Sequence, residues 1–274
     1  MYHDNWNLED SPFTTSSQNS RDFFVGQAHE EVLARLDYLT TSRKRFGLLT
    51  GTSGVGKSAL LDYVQQRVQS LGKQSVTMGL LGIDEYEFAW QLSDQLGLRT
   101  GHERPLASLW RAIFDHLTVN RYQRLDTVIL LDDADEAEGA VLTSVARLAQ
   151  WQPSTESRLT LIATCREDRT DLIGRRLLEL CDLSMVLPPW ELADTAAYLK
   201  QSIAGAGRDT PAFDIRSIEE IQRLSRGSIR LIRQLAELSL LAGADQKSPT
   251  VDHETVIAVD GELRLPSQIA DAVI

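Results

Sequence analysis

The stretch that decides the fold is Gly51-Thr52-Ser53-Gly54-Val55-Gly56-Lys57-Ser58, which fits the pattern G-x-x-x-x-G-K-[ST] at every position. An apolar run at residues 46–50 precedes it, and apolar side chains recur at helical spacing after it until Gly72. Glycines let such a loop turn with its N–H groups pointing inward, and the N-terminus of the following helix adds partial positive charge. The sequence therefore predicts a strand, a phosphate-binding loop and a helix.

The residues of this loop predict how a nucleoside triphosphate would be held. Main-chain amides of the loop and of the next residue, Ala59, would surround the phosphates of ATP, and Lys57 would reach the β and γ phosphates. The Ser58 hydroxyl would be one ligand of Mg²⁺. A second ligand should be a carboxylate at the end of a neighbouring buried strand, and Asp132 directly follows the apolar run at 128–131. ATP and Mg²⁺ are the expected cofactors.

Catalysis requires a group that polarises the attacking water, and the position after Asp132 is the usual place for it. Asp133 stands there instead of the usual glutamate, so its carboxylate is one methylene shorter and hydrolysis should be slow. Asp135 and Glu136 either substitute for it or begin a solvated helix. Thr164, at the end of the next apolar run, either bonds the γ-phosphate or the water, or is an ordinary strand residue.

The pattern along the chain changes near Pro189. Apolar strand patterns alternate with helical patterns before it, which indicates an α/β fold built on a P-loop parallel sheet flanked by helices. Only helical patterns follow, including a predicted Ser217/Glu220 capping box, and they indicate a small helical lid. The predicted divisions are an N-terminal segment at 1–25, the core at 26–189, the lid at 190–260 and a tail at 261–274.

Composition excludes several classes of protein. The chain has 274 residues, of which 42% are hydrophobic and 24% charged, as in ordinary soluble domains. Its apolar stretches are far shorter than the roughly 20 residues of a membrane helix, and the N-terminus lacks the pattern of a secretory signal. Two cysteines, Cys165 and Cys181, cannot build a disulfide framework. These observations predict a cytoplasmic protein without a membrane span.

The formal net charge of −11 disfavours a protein that coats nucleic acid by bulk charge. Local basic patches remain open. Arg43-Lys44-Arg45, ahead of the first strand, is either a phosphate-binding patch or a solvated junction. Arg223, Arg226 and Arg233 recur at helical spacing and either line the lid near phosphates or form a solvated stripe.

Further blocks of sequence resemble the AAA+ ATPases of the ExeA type, also called general secretion pathway protein A. The blocks are Trp6-Asn7-Leu8, Ser11-Pro12-Phe13, Phe23-Phe24, His29-Glu30-Glu31 and Gly227-Ser228-Ile229-Arg230. The resemblance implies an AAA+ core with the sheet order 5-1-4-3-2 and an opening segment that packs near the adenine. It also implies that Arg230, on the lid, contacts the γ-phosphate.

Two departures from the family pattern limit what the resemblance implies. Family members use an arginine that completes a neighbouring subunit's site, but Leu180 stands at that position, so the source is Arg175, Arg176 or none. Secretion members also carry a membrane span and a peptidoglycan-binding region, which this sequence lacks. The resemblance therefore favours an ATPase module, acting as a homo-oligomer or with a partner protein, over a secretion role.

Three functions remain open from the sequence. The first is an ATP-hydrolysing AAA+ module that drives or times a macromolecular assembly. The second is an ATP-gated module that targets DNA, like the transposition regulators that share this core, which the net charge disfavours. The third is a nucleotide-binding scaffold with little hydrolysis, which the presence of Asp133 and the missing arginine favour.

Overall fold

A computed structural model, which describes residues 2–13, 23–98, 104–151 and 156–271, contains a five-stranded sheet. The strands stand in the order β2-β3-β4-β1-β5, and every neighbouring pair is parallel. Read from the other edge, this is the order 5-1-4-3-2, so the predicted fold class and sheet order are confirmed. The strands are β1 Phe46–Gly51, β2 Gln74–Gly79, β3 Thr127–Asp132, β4 Leu159–Arg166 and β5 Leu183–Val186.

Alternate side chains of the central strands are buried on opposite faces of the sheet. In β3, Ile129 and Leu131 pack in the core of one face, whereas Val128 and Leu130 pack in the core of the other. A strand covered on both sides needs apolar residues at every position, which explains the uninterrupted run that identified it.

Helices cover both faces of the sheet and form the crossover connections between its strands. The first face carries α4 Glu85–Gln95, α5 Leu106–Tyr122 and α6 Gly139–Ala149; the second carries α2 Gln27–Thr41 and α3 Lys57–Ser70. Asp84 caps the N-terminus of α4, because its carboxylate accepts a hydrogen bond from the Glu87 amide at 2.8 Å. A short helix, α7 Arg175–Glu179, leads into β5.

Helix α6 was not predicted. Val141, Val145 and Leu148 nevertheless recur at helical spacing, and all three are buried against the sheet. A local signal for this helix is therefore present in the sequence and was missed.

Four helices form the lid that follows the sheet: α8 Leu192–Gly205, α9 Ile215–Ser225, α10 Ile229–Asp245 and α11 His253–Asp271. The predicted Ser217/Glu220 capping box is wrong. Asp214 caps α9 instead, accepting a hydrogen bond from the Ser217 amide at 2.7 Å. The last of the four, α11, is 19 residues long.

The N-terminal segment is built into the lid. Helix α1 Tyr2–Trp6 places the Trp6 indole in the lid core, where its N–H donates to the Leu240 carbonyl at 2.7 Å. Leu8 and Phe13 are buried in the same cluster. The position near the adenine that the resemblance implied stays a prediction; these residues pack among the lid helices, and Phe23 and Phe24 lie at the junction with the sheet domain.

Trp190 lies at that junction, where its amide donates a hydrogen bond to the Gly227 carbonyl at 3.0 Å. The division of the chain at residues 25, 189 and 260 stays our proposal. None of the helices in the described ranges is both long enough and apolar enough to cross a membrane.

Candidate nucleotide site

The glycine-rich loop joins the buried end of β1 to the first turn of α3 at the carboxyl edge of the sheet. Gly54 and Gly56 have φ of 79° and 98°, which side-chain-bearing residues rarely adopt. A β-carbon at Gly54 would lie 2.5 Å from the Ser228 hydroxyl, and one at Gly56 would lie 2.8 Å from Ile229 Cδ1. Both glycines are therefore required by conformation and by close packing.

Lys57, the first residue of α3, is folded into the loop. Its ammonium donates to the Gly51 carbonyl at 2.9 Å and to the Thr52 carbonyl at 3.2 Å, and the residue is only 8% exposed. Burial lowers the pKa of Lys57, and the nearby carboxylate of Asp132 opposes that shift. Because the partners of the Lys57 ammonium are two neutral carbonyls, an anion such as a phosphate oxygen would bind it more strongly and can replace them.

Asp132 ends β3 on the strand next to β4, and Thr164 of β4 fixes it. The buried Thr164 hydroxyl donates to the Asp132 carboxylate and accepts a hydrogen bond from the Asp133 amide at 3.1 Å. Both functions of this hydroxyl are used within the chain. A contact from Thr164 to a γ-phosphate stays a prediction that requires the hydroxyl to turn away from Asp132.

Asp133 is the residue at which the chain turns out of the sheet. Its φ of 53° and ψ of 48° lie in the left-handed region, which aspartate tolerates better than most side chains. Burial raises the pKa of the Asp133 carboxyl, and the charges of Asp132 and Asp135 raise it further. The structure thus places a second carboxylate near that of Asp132.

One alternative from the sequence was that Asp135 begins a solvated helix, but Asp135 is buried in the structure. The residue is 6% exposed, and its Oδ1 accepts a hydrogen bond from the Arg166 amide at 3.2 Å. Its other oxygen, Oδ2, is buried without a hydrogen-bond partner among the described residues. Asp135 ties the ends of β3 and β4 together, whereas Glu136 is exposed and forms an ion pair with Arg169.

The lid contacts the loop directly. The amide of Arg230, in the first turn of α10, donates to the Gly54 carbonyl at 3.1 Å. The Arg230 side chain is exposed and has no hydrogen bond or ion pair within the described ranges. Two helix N-termini, those of α3 and α10, therefore converge on one loop, and Arg230 stands in the first turn of α10.

A second contact between the core and the lid was missed from the sequence. Asp194 of α8 accepts a hydrogen bond from the Gln27 amide at 2.9 Å and so caps α2. His29, one turn along, is fully buried, and its Nδ1 accepts from the Gly26 amide at 3.2 Å. Burial lowers the pKa of His29 to about 4, although Asp194 acts in the opposite direction. A single aspartate far along the chain carries no local signal of this role.

The two arginines considered for a neighbouring subunit's site have partners in their own chain. Arg175 is paired with Glu179 on the same short helix, although its side chain is 92% exposed. Arg176 donates to the Gln150 side chain at 2.8 Å. Neither pairing is buried, so both arginines stay open as predictions.

The donor set at the loop fits magnesium. Ser58 is exposed at the start of α3 and offers a hydroxyl oxygen, and Asp132 offers a carboxylate oxygen. Mg²⁺ prefers hard oxygen ligands of this kind. Within the described residues, no three or more His, Cys, Asp or Glu side chains converge as a metal-binding group. Mg²⁺ is usually held by one or two protein ligands together with phosphate oxygens and water, so a closed protein cage is not required.

Sequence comparison identifies similar proteins. Residues 40–173 match the family described as AAA domain. The chain is 24% identical over 257 residues to General secretion pathway protein A of Aeromonas hydrophila, an alignment that covers 92% of this chain and 47% of that protein. The chain thus spans about half the length of this curated relative. Its sequence resembles an AAA+ ATPase module of the ExeA type, as predicted.

Solved structures with a similar fold include ORC proteins and RuvB. Drosophila ORC bound to DNA has a TM-score of 0.72 at 14% identity, covering 98% of this chain and 67% of that chain. The Aeropyrum pernix ORC1 protein in complex with DNA has a TM-score of 0.68 at 18% identity, covering 90% and 68%. Thermotoga maritima RuvB, a Holliday junction branch migration motor, has a TM-score of 0.61 at 16% identity, covering 88% and 71%. These similarities show the P-loop AAA+ fold.

Proposed function

We propose that this chain, similar to ExeA-type AAA+ ATPases in sequence and to ORC proteins in fold, binds ATP with Mg²⁺ and hydrolyses it to drive or time a macromolecular assembly. The observation that carries the proposal is the buried Lys57 folded into a glycine-rich loop at the end of β1, with Asp132 at the end of a nearby strand. Residues 51–59 would surround the phosphates, and Lys57 would exchange its two carbonyl partners for phosphate oxygens.

Ser58 and Asp132 would hold the magnesium ion, which supplies positive charge to the β and γ phosphates when bound. Thr164 supports this role by fixing one oxygen of Asp132 through its hydroxyl. The other carboxylate oxygen of Asp132 stays available as a ligand. Thr164 is in this respect a positioning residue.

Asp133 would accept a hydrogen bond from the attacking water and orient it. The bond from its amide to the Thr164 hydroxyl holds its left-handed backbone in place. The shorter side chain leaves a larger gap to the water than a glutamate would. We therefore expect slow turnover.

Arg230 would connect the nucleotide to the lid. Its amide already contacts the loop, and its unpaired guanidinium can reach toward the terminal phosphate. A charged interaction that forms with ATP but not with ADP favours one lid position over another by its differential free energy. Such a change at the lid is how hydrolysis would time the binding of another copy of the chain or of a partner protein.

The test is ATP binding and phosphate release by the wild type and by Lys57→Ala, with Lys200→Ala as the matched control because Lys200 is an exposed lysine of the lid. Lys57→Ala should lose ATP binding, and the control should keep it. Normal ATP binding by Lys57→Ala would contradict the proposal. Binding by the wild type without phosphate release, even at high protein concentration, would instead favour a nucleotide-binding scaffold.

The assembly role needs a separate measurement. The mass of the protein in solution should increase when a non-hydrolysable ATP analogue and Mg²⁺ are added, and Arg230→Gln should weaken that increase. A mass that is the same with and without the analogue, at concentrations where ATP is bound, would contradict ATP-timed self-assembly.

A further inference from the structure

The amino edge of the sheet, opposite the nucleotide loop, carries a basic residue near the start of every strand. Lys73 precedes β2, Arg124 and Arg158 precede β3 and β4, Arg45 precedes β1, and Arg176 lies on the short helix before β5. We call these five residues the basic row. Neighbouring strands are about 4.8 Å apart, so a row across five strands is roughly 19 Å long.

Carboxylates neutralise part of the charge of the row, and one of them is Asp182, which precedes β5 and accepts a hydrogen bond from the Arg45 amide at 2.8 Å. Asp126 at the centre pairs with Arg158 at 2.7 Å, with Arg43 at 3.5 Å and with Lys73 at 3.9 Å. One carboxylate therefore serves three cations. The Nε of Arg43 is buried, and its 3.5 Å ion pair with Asp126 does not give it a hydrogen bond. The side chains of Lys73 and Arg158 are only 14% and 17% exposed and face Asp126, so the excess positive charge that a ligand could reach lies elsewhere in the row.

Two members of the row are unengaged. The side chains of Arg45 and Arg124 make no hydrogen bond or ion pair within the residues that the structure describes. Arg45 and Arg176 line the same open cavity of about 400 Å³, together with Gln150, Glu179 and Leu180. Glu179 is paired with Arg175, so the cavity presents two guanidinium groups and one carboxylate that is already engaged.

Helix termini account for only part of this arrangement. Helices α2, α3 and α5 end at the same edge, and the negative ends of their dipoles favour cations there. That effect falls off within the last turn, whereas Arg45, Arg124 and Arg158 lie beyond the helices. Arg124 and Arg158 also have φ of 58° and 56°, in the left-handed region that side-chain-bearing residues adopt rarely.

We propose that the basic row binds the sugar-phosphate backbone of a nucleic acid. A single row of cations matches a linear polyanion, and two exposed aromatic side chains, Tyr38 and Tyr122, lie beside it at the ends of α2 and α5, where unpaired bases could stack. The rest of the chain is strongly acidic, since the whole carries a net charge of −11. It therefore repels the same backbone elsewhere and restricts binding to this edge.

The proposal is independent of the nucleotide site, which lies at the other end of the strands. Its test is the fluorescence anisotropy of a labelled DNA duplex and of a labelled single strand, titrated with the full chain at several salt concentrations. The variant Arg45→Gln/Arg124→Asn removes two charges, and asparagine tolerates the left-handed backbone at position 124. The matched control is Arg216→Gln/Arg223→Gln, which removes two exposed arginines from α9.

The wild type should bind DNA at low salt, with an affinity that falls steeply as salt rises. The slope of log affinity against log salt is negative, and its magnitude should be smaller by about two in the row variant, because each of the two missing arginines no longer neutralises a phosphate. The α9 control should keep the wild-type slope. Lys57→Ala should bind DNA like the wild type, which separates this proposal from ATP binding.

Three results would overturn the proposal: no retention of DNA at low salt, an equal loss in the row variant and the α9 control, or DNA binding unchanged in the row variant. Vesicles of phosphatidylserine and phosphatidylcholine provide the comparison with another anionic surface. Row-dependent binding to those vesicles, with none to DNA, would assign the row to a membrane surface and also overturn it.

Discussion

The amide of Arg230 donates to the carbonyl of Gly54 across 3.1 Å, so the first turn of the lid helix α10 rests on the loop that we propose for the phosphates. The side chain of Ser228 completes this contact, because its hydroxyl lies 2.5 Å from the position that a β-carbon of Gly54 would occupy. A change in the conformation of the loop therefore alters its contact with the lid.

Gly54→Ala should reduce both stability and ATP affinity. The new methyl group would lie 2.5 Å from the Ser228 hydroxyl and would force alanine into a left-handed backbone, so we expect a loss of about 1–3 kcal/mol in the free energy of unfolding. Denaturant titration and ATP titration measure the two effects. Gly79→Ala is the control, because nothing lies within 4 Å of its β-carbon position. Equal stability of the two variants would contradict the close contact.

Thr164→Val should affect the position of the Asp132 carboxylate, our proposed metal ligand, more than the overall fold. The valine leaves the Asp133 amide without its acceptor and Asp132 without its donor, at an expected cost of about 1–3 kcal/mol in unfolding free energy. The difference in ATP affinity with and without Mg²⁺ should shrink, and Thr164→Ser should restore it because the hydroxyl is kept. If Thr164→Val shows the wild-type magnesium dependence, Thr164 does not position Asp132.

Asp133→Glu should increase the rate of phosphate release, because the longer side chain brings the carboxylate closer to the water. Asp133→Asn should reduce the rate by about 10²-fold or more, since the amide cannot accept a proton, while ATP affinity stays close to that of the wild type. Steady-state release with saturating ATP is the measurement. Turnover by Asp133→Asn at the wild-type rate would mean that another group orients the water.

Stability should fall below neutral pH because of His29. Its pKa is about 4 in the folded chain and about 6.5 when unfolded, so the unfolded state binds the proton first. Stability is fully present above pH 6.5 and is lost progressively as the pH falls to about 4, by about 3 kcal/mol at most. Carboxylates titrate in the same range, so the informative quantity is the difference between the wild type and His29→Asn.

Denaturant titrations at several pH values should show a shallower pH dependence for His29→Asn, because asparagine does not titrate. His253→Asn, a change in the first turn of α11, serves as the control and should keep the wild-type slope. Parallel curves for the wild type and His29→Asn would show that His29 contributes nothing to the acid sensitivity.

Trp6→Ala should destabilise the lid. The indole is fully buried, donates to Leu240 and lies 5.0 Å beneath the Arg208 guanidinium, so we expect a loss of about 3–5 kcal/mol. Tyr122→Ala, at an aromatic side chain that is 80% exposed, should cost far less. Unfolding followed by tryptophan fluorescence and by far-UV circular dichroism compares the two. A loss below about 1 kcal/mol for Trp6→Ala would contradict its place in the lid core.

The parts of the fold that the sequence predicted are those with a local signal. The run at 128–131 identified a strand buried on both faces, and the glycine pattern before Lys57 placed the loop between β1 and α3. Asp132 could be assigned because the residue after a buried parallel strand must lie at its carboxyl edge. Sequence spacing alone suffices for such features.

Contacts between distant segments could not be predicted in the same way. Asp194 caps α2 from across the domain junction, and Trp6 donates to Leu240 in a lid core built mainly from the far end of the chain. Asp214 displaced the expected cap at Ser217 because both residues are good caps and only the path of the chain decides between them. These choices are made by tertiary packing.

The membership of α1 in the lid has a mechanical consequence. The chain leaves the lid after Phe13, is part of the sheet domain from α2 at Gln27 and returns to the lid after Leu187, so two covalent tethers connect the two bodies. A domain joined to another by a single covalent connection can rotate about any axis through that connection. Two tethers leave rotation about the line that joins them as the easiest motion, so the lid should move as a hinged flap rather than as a freely turning arm.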